Sequence, residues 1–259
     1  MKKMLYLLGL LSFTYSLFAY ATTTHNAPTV SAAEKARIEA VVHQYLTTKP
    51  EVILEAMQVL QNKQMEQAKL AVQKTRQDAP QFFNALFHAN NTPVAGNPNG
   101  SVTLVEFFDY QCPHCIDVVP TINALVKANP NLRVVYREWP IRGPLSDFAS
   151  RAALAAQDQN KYLPFHQALL AANKPLSQDS ILEIAKTAGL NVEQLQKDMN
   201  AAKTNDTLKA TVELAQNLKL FGTPAFFLAK TDNNGKEVLY FPGELPQAQL
   251  QEAIDKMKQ

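Results

Sequence analysis

The sequence predicts an α/β domain with an inserted helical region, preceded by a helical N-terminal region. Three observations predict it. A strand–helix–strand unit spans about Val102 to Trp139. A helical stretch, 145–220, separates that unit from the later strands. A strand–turn–strand–helix order, Phe226 to Lys258, then completes a sheet. A β-α-β unit implies a parallel pair with a right-handed crossover. Eight glycines in 259 residues is a low count for a β-rich chain, which tips the balance towards helix.

The first 21 residues read as an export signal. Lys2 and Lys3 form a basic n-region, Met4 to Phe18 an apolar core, and Ala19-Tyr20-Ala21 an A-x-A cleavage site. The apolar run is short of the roughly 20 residues that a membrane span needs. Cleavage after about Ala21 removes two lysines and leaves the basic residues equal to the 23 acidic ones. A formally neutral chain lacks the basic stripe of a nucleic-acid binder and the polybasic patch of an electrostatic membrane anchor. The expected location is the periplasm.

Residues 22–89 read as a dimerisation and stalk region. Ser31 to Glu34 is a capping box. Ile38, Val41, Val42, Tyr45 and Leu46 then share one helical face. Pro50 ends this helix and opens a longer one, unbroken from Glu51 to about Gln77, roughly 40 Å long. Its first half is apolar and its second half is rich in Gln and Lys. Two such helices cannot bury a core of their own, so a homodimer through residues 31–77 is expected, against a helical arm folded back on the main domain. Phe82, Phe83, Leu86 and Phe87 are expected to dock on a core. Residues 90–101 (NNTPVAGNPNGS) read as a linker, and residues 102–259 as the catalytic domain.

Within that domain Val102–Asp109 is a strand, Ile116–Lys127 a helix, and Leu132–Trp139 a second strand. In the insert, Asp147 starts a helix, Lys161 begins a segment broken by Pro164, and Ser177 and Asn191 cap two more. A last helix runs from about Thr204 to Lys219. Asn233-Asn234-Gly235 is a hairpin turn between Phe226–Ala229 and Val238–Phe241. An amphipathic helix closes the chain, with Leu250, Ile254 and Met257 in register. Trp139, Phe107, Phe108, Phe226 and Phe227 are core.

The chemistry centres on Cys112-Pro113-His114-Cys115, which holds the only two cysteines. The pair sits where a strand gives way to a helix, and unpaired N–H groups and the dipole at a helix start favour a thiolate. A structural disulfide is a poor alternative, because so short a loop constrains little unfolded-state entropy. A zinc site would need two further ligands, and His25, His43, His88 and His166 have no ligand spacing. No metal and no cofactor is expected.

The order strand, CPHC-helix, strand, helical insert, Gly222-Thr223-Pro224, hairpin, helix resembles the thioredoxin fold with an inserted helical domain. It is similar to the DsbA-like disulfide oxidoreductases of the bacterial envelope. The resemblance rests on Glu106-Phe107-Phe108, with Glu106 six residues before Cys112, on CPHC, and on Gly222-Thr223-Pro224 before a strand. Two features depart from the monomeric oxidases: Thr223 stands where they have Val, and some 80 mature residues precede the fold. Both are similar to the DsbC-like isomerases, which carry a dimerisation region and helical linker.

The resemblance implies roles. Cys112 is the attacking thiolate, exposed at the helix start, and Cys115 the more buried resolving thiol. Pro113 fits the first helical turn. His114 places a donor or partial charge near the sulfur, which stabilises the reduced form and makes the disulfide more oxidising. Glu106 is a buried carboxylate of raised pKa that accepts the Cys115 proton, the alternative being an edge residue facing water. Thr223-Pro224 is a cis peptide facing the cysteines, with Thr223 backbone free to pair with an extended client. The expected partners are reduced or misoxidised exported proteins and a membrane redox partner. A chaperone or metal-handling protein using the same cleft, or a reductase, are the alternatives.

Overall fold

The computed structural model describes residues 30–173 and 175–258. The export signal and His25 lie outside the described residues. The chain divides into two units, residues 1–60 and 61–259.

The first unit holds helix α1 (Ala32–Thr48) and the opening turns of α2 (Glu51–Asp78). Ser31 caps α1, its hydroxyl accepting from the Glu34 N–H at 3.2 Å. No residue of α1 is buried. Ile38, Val41, Val42, Tyr45, Leu54, Met57 and Leu60 are all roughly half exposed or more.

The second unit begins within α2 and is built on a five-stranded sheet. Its strands are β1 (Val94–Gly96), β2 (Val102–Phe108), β3 (Leu132–Glu138), β4 (Ala225–Lys230) and β5 (Leu239–Pro242), in the spatial order β1-β3-β2-β4-β5. β2 and β3 are parallel, and the other pairs are antiparallel. A short helix, α3 (Phe83–Phe87), precedes the sheet. Helix α4 (Pro113–Ala128) makes the crossover between β2 and β3.

β2 is buried along its whole length, so its two faces feed two cores. Val102, Leu104 and Phe108 meet α4, the insert and the closing helix α10 (Gln247–Lys258). Val105 and Phe107 meet Phe83, Leu86, Phe87 and Trp139. The aromatic side chains expected to be core are buried in these two layers.

The insert comprises α5 (Pro144–Ala155), α6 (Tyr162–Leu170), α7 (Gln178–Thr187), α8 (Val192–Asp198) and α9 (Ala202–Asn217). Small residues along α5 (Ala149, Ser150, Ala152, Ala153) are buried and let the other helices approach closely. Ser177 and Ser180 form a reciprocal capping box, and Asn191 caps α8.

Two expectations are corrected. Pro164 does not break α6; it lies in the first turn, where its missing N–H had no partner to lose. Residues 90–101, expected as a linker, contain β1, which pairs Val94 with Val135 and Ala95 with Val134. Gly96 ends that strand at φ +72, where an added Cβ would collide with the Leu132 carbonyl oxygen, so only glycine fits. As expected of Phe82, Phe83, Leu86 and Phe87, this segment docks on a core: Ala79, Phe83, Leu86 and Phe87 are buried in the second one, with Phe82 packed against it. Arg133 and Arg137 of β3 fasten them by donating to the carbonyls of Phe87 (2.7 Å) and Leu86 (3.0 Å). The end of α2 is fastened similarly: the buried Thr75 hydroxyl donates to the Leu218 carbonyl at 2.8 Å.

Candidate active site

The topology brings three loops to one edge of the sheet. β2 and β3 are parallel, so the loops after both emerge there. β4 is antiparallel to β2, with Ala225 beside Phe107, so the segment before β4 arrives there too. These loops carry Cys112, Arg142 and the cis Thr223–Pro224 peptide.

Cys112 is the N-cap of α4, in extended conformation, with Pro113 at the first helical position. The amides of Cys115 and Ile116 donate to the Cys112 carbonyl at 3.0 and 3.1 Å and fix this first turn. The expectation that Cys112 is exposed is corrected: its relative exposure is 0%. The reason is the direction of its sulfur. Cys112 Sγ donates to the Thr223 carbonyl at 3.2 Å, and the Arg142 guanidinium lies 3.9 Å from it on another side. Both cysteines are free thiols.

Burial opposes ionisation of Cys112. Thr223, the amide and thiol of Cys115, and the Arg142 charge outweigh it and hold the thiol below its ordinary value. Thr223 Oγ1 is buried and has no hydrogen-bond partner, so its hydroxyl is available to donate to a thiolate. Cys115 goes the other way: burial, and then the charge of Glu106, push its thiol well up. The two sulfurs of one motif are thus driven apart, one towards thiolate and one towards thiol.

Glu106 is buried in the middle of β2, paired in register with Tyr136, and not at an edge facing water. Burial, and then the charge of Glu138, push it up to about 8. A small cavity bounded by Glu106, Val119, Ile122, Tyr136 and His166 separates it from α4.

His114 is exposed, and its Nδ1 lies 3.2 Å from Glu244 Oε2. Ligand-type atoms of His114, Asp117 and Glu244 fall within 4.8 Å of one another. No metal ligand is assigned there, because all three side chains are exposed and His114 is already engaged by Glu244.

Sequence reasoning missed two groups. The first is Asp109, a fully buried carboxylate that accepts from the Gln111 amide (2.7 Å), the Ser146 hydroxyl (2.7 Å) and the Ile141 and Arg142 amides (2.8 and 3.0 Å). It ties the loop after β2 to the loop after β3 and thereby sets where Arg142 stands. The second is a buried cluster on the insert side. Tyr110 and Tyr162 donate to Glu138 Oε1 at 3.0 and 2.8 Å, and Tyr110 Oη lies 3.0 Å from His166 Nδ1. Tyr110 has one proton and gives it to Glu138, so His166 Nδ1 must be the donor to Tyr110. Burial pushes Glu138 up to about 8 and His166 down to about 3. Asp109 and Tyr110 close an apolar run just before the cysteines, whereas Glu138 and His166 lie far from them in sequence, each beside apolar residues of its own segment.

Comparison with known proteins agrees with this geometry. Residues 103–255 match the DSBA-like thioredoxin domain, and residues 34–67 match the N-terminal domain of the copper resistance protein ScsC. A thioredoxin-like oxidoreductase from Silicibacter pomeroyi is 45% identical, with a TM-score of 0.63, over 68% of this chain and 96% of that one. BcfH of Salmonella enterica Typhimurium is 32% identical, with a TM-score of 0.62, over 88% of this chain and 97% of that one. A Proteus mirabilis ScsC structure is 26% identical, with a TM-score of 0.60, over 88% and 97%. A Na(+)/H(+) antiporter, NhaA 3 of Salinispora tropica, is 27% identical over 144 residues, and the chain spans 22% of its length. The family match covers more than half of the chain and includes both cysteines, the insert and the Thr223–Pro224 loop: the chain belongs to the DSBA-like thioredoxin domain family, and residues 103–255 form a thioredoxin-fold oxidoreductase domain built around the Cys112–Cys115 pair.

Proposed function

We propose that the protein is an exported thiol–disulfide oxidoreductase that forms disulfides in client proteins and, as a dimer, reshuffles wrong ones. The observation that carries this reading is the opposed environment of the two sulfurs: Cys112 with a helix start, a cation and a free hydroxyl around it, Cys115 buried behind it towards Glu106.

In the oxidising direction a client thiolate attacks Cys112 Sγ. The Cys112–Cys115 bond breaks, a client–Cys112 disulfide forms, and Cys115 leaves with the electron pair. Cys115 takes a proton as it leaves, and Glu106, protonated at neutral pH with a value of about 8, is the group beside it that can supply one. A second client thiolate then attacks the client sulfur, the client disulfide closes, and Cys112 departs as the thiolate. The client loses two electrons and the protein pair gains two. A membrane redox partner accepts them by the same exchange run in reverse. Pro113 and Thr223–Pro224 frame the sulfur on which these exchanges occur.

The isomerase reading rests on Thr223 and on self-association through residues 31–77. Supporting it are the exposed apolar side chains of residues 38–60 and the match of residues 34–67 to the ScsC N-terminal domain. Location in the periplasm rests on the expected signal, 1–21.

The test is oxidation of a reduced two-cysteine client by the oxidised protein, followed by loss of client thiols. Wild type should consume them stoichiometrically and Cys112→Ser should not. A Cys112→Ser protein that protects clients from aggregation as well as wild type, with no thiol turnover in either, would instead favour the chaperone reading.

A further inference from the structure

We infer that Arg142, and not the motif histidine His114, is the cation that stabilises the Cys112 thiolate, and that Asp109 is the positioning residue that holds it there. This deepens the reading of Cys112 as the exchanging thiol and rests on it.

The geometry separates the two cations. His114 lies inside the motif, yet its ring faces outward, about two-thirds exposed, and its Nδ1 is directed to Glu244 at 3.2 Å. That pairing partly neutralises whatever charge the imidazole carries. Arg142 stands 30 residues beyond Cys112 and in no motif, yet its guanidinium is 3.9 Å from Cys112 Sγ. No ion pair to a carboxylate engages it among the described residues.

Arg142 is an exposed residue, and an arginine left to itself would sample many rotamers. Its backbone, however, is not free. Asp109 Oδ2 accepts from the amides of Ile141 and Arg142, while Oδ1 accepts from Gln111, one residue before Cys112, and from Ser146 in the first turn of α5. One buried carboxylate therefore fixes the base of the arginine and the loop bearing the sulfur in a single frame. The other groups around Cys112 are Thr223, which contributes a carbonyl and a free hydroxyl, and Cys115 behind it. Glu106 and Asp109 are the buried carboxylates of β2 and of the loop that follows it. The former acts on Cys115, and the latter is fully occupied by four donors. Arg142 is the one full positive charge that touches the sulfur among the described residues.

The experiment is a pH titration of thiolate ultraviolet absorbance in the full-length reduced protein, with alkylation rates by iodoacetamide at about pH 6 in parallel. The variants are Arg142→Gln, Arg142→Lys and His114→Gln. Arg142→Gln should move the absorbance midpoint to higher pH and slow alkylation by about three- to tenfold. Arg142→Lys should recover most of the rate, and His114→Gln should change it less than Arg142→Gln does. Raising salt to ~1 M should slow the wild type towards Arg142→Gln and leave that variant nearly unchanged. Asp109→Asn should act in the same direction, and in the Arg142→Gln background should add little further. Should Asp109→Asn fail to fold, the Arg142 and His114 series still decides the matter. An Arg142→Gln titration superimposable on wild type, or a larger shift in His114→Gln, would overturn the inference. A wild-type Cys112 that titrates as an ordinary thiol would instead sink the reading of the site on which the inference rests.

Discussion

Replacing Glu106 with Gln should make the folded protein more stable at neutral pH and less competent at exchange. The ordinary value for this carboxyl is 4.5, and burial in β2 moves it to about 8 in the folded chain. Below pH 4.5 both folded and unfolded states hold the proton, and the group sets no pH dependence. Between the two values the unfolded chain ionises while the folded chain stays protonated, so folding stability falls as pH rises. At pH 7 that window has been crossed for about 2.5 pH units, at ~1.36 kcal/mol each, or about 3 kcal/mol. Glutamine keeps the shape and cannot ionise. It carries a buried amide that costs roughly 1–3 kcal/mol where unpaired, but this cost is the same at every pH. The diagnostic quantity is therefore the change in the stability gap between Glu106→Gln and wild type, which should widen in favour of the variant by about 3 kcal/mol from pH 4.5 to pH 7. Other titrating groups, such as His166, contribute to both proteins and cancel. Urea unfolding of the reduced proteins at a series of pH values measures it. In the same variant, displacement of Cys115 from the Cys112–Cys115 disulfide by a client thiolate should slow by about a hundredfold, because the proton donor is gone. A stability gap that does not change with pH would refute the reasoning, since it would mean that Glu106 is already ionised in the folded chain.

The same geometry sets further outcomes. Cys115→Ser should trap clients as a stable disulfide on Cys112, visible as reducible adducts on electrophoresis, whereas Cys112→Ser should trap none. Asp109→Ala strips one acceptor from four donors and should cost about 3 kcal/mol of stability, read by chemical denaturation. Gly96→Ala places a side chain at positive φ against the Leu132 carbonyl and should cost about 1–3 kcal/mol. Val41→Glu with Leu54→Glu should lower the mass measured by light scattering, with no change in the thiolate titration, if residues 31–77 associate.

What was legible in the sequence was what local pattern encodes. The helix start at Pro113 comes from an extended cysteine and a proline that needs no N–H. The position of Glu106 in a buried strand comes from apolar neighbours on both sides. The insert helices announce themselves through Ser177, Asn191 and their apolar spacing. What pattern does not encode is anything decided by pairing between distant segments. β1 is three residues amid Asn, Pro and Gly, and it is a strand only because Val134 and Val135 offer it a partner. Arg142 reaches Cys112 only because β2 and β3 run parallel and Asp109 joins the loops at their ends. The exposure expected for Cys112 failed for the same reason: a segment more than a hundred residues later supplies the carbonyl that covers the sulfur.

The second core has a practical consequence for where the oxidoreductase domain can be cut. Phe83, Leu86 and Phe87 form the floor under Phe107, Phe227 and Trp139, and they come from the segment before the first strand. A fragment begun at Val102 would keep every residue of the CPHC motif and the cis-proline loop yet uncover a slab of aromatic surface, and it should aggregate on expression. One begun near Gln61 would retain that floor together with its arginine and threonine fastenings, and is the shorter chain that should remain dispersed in solution.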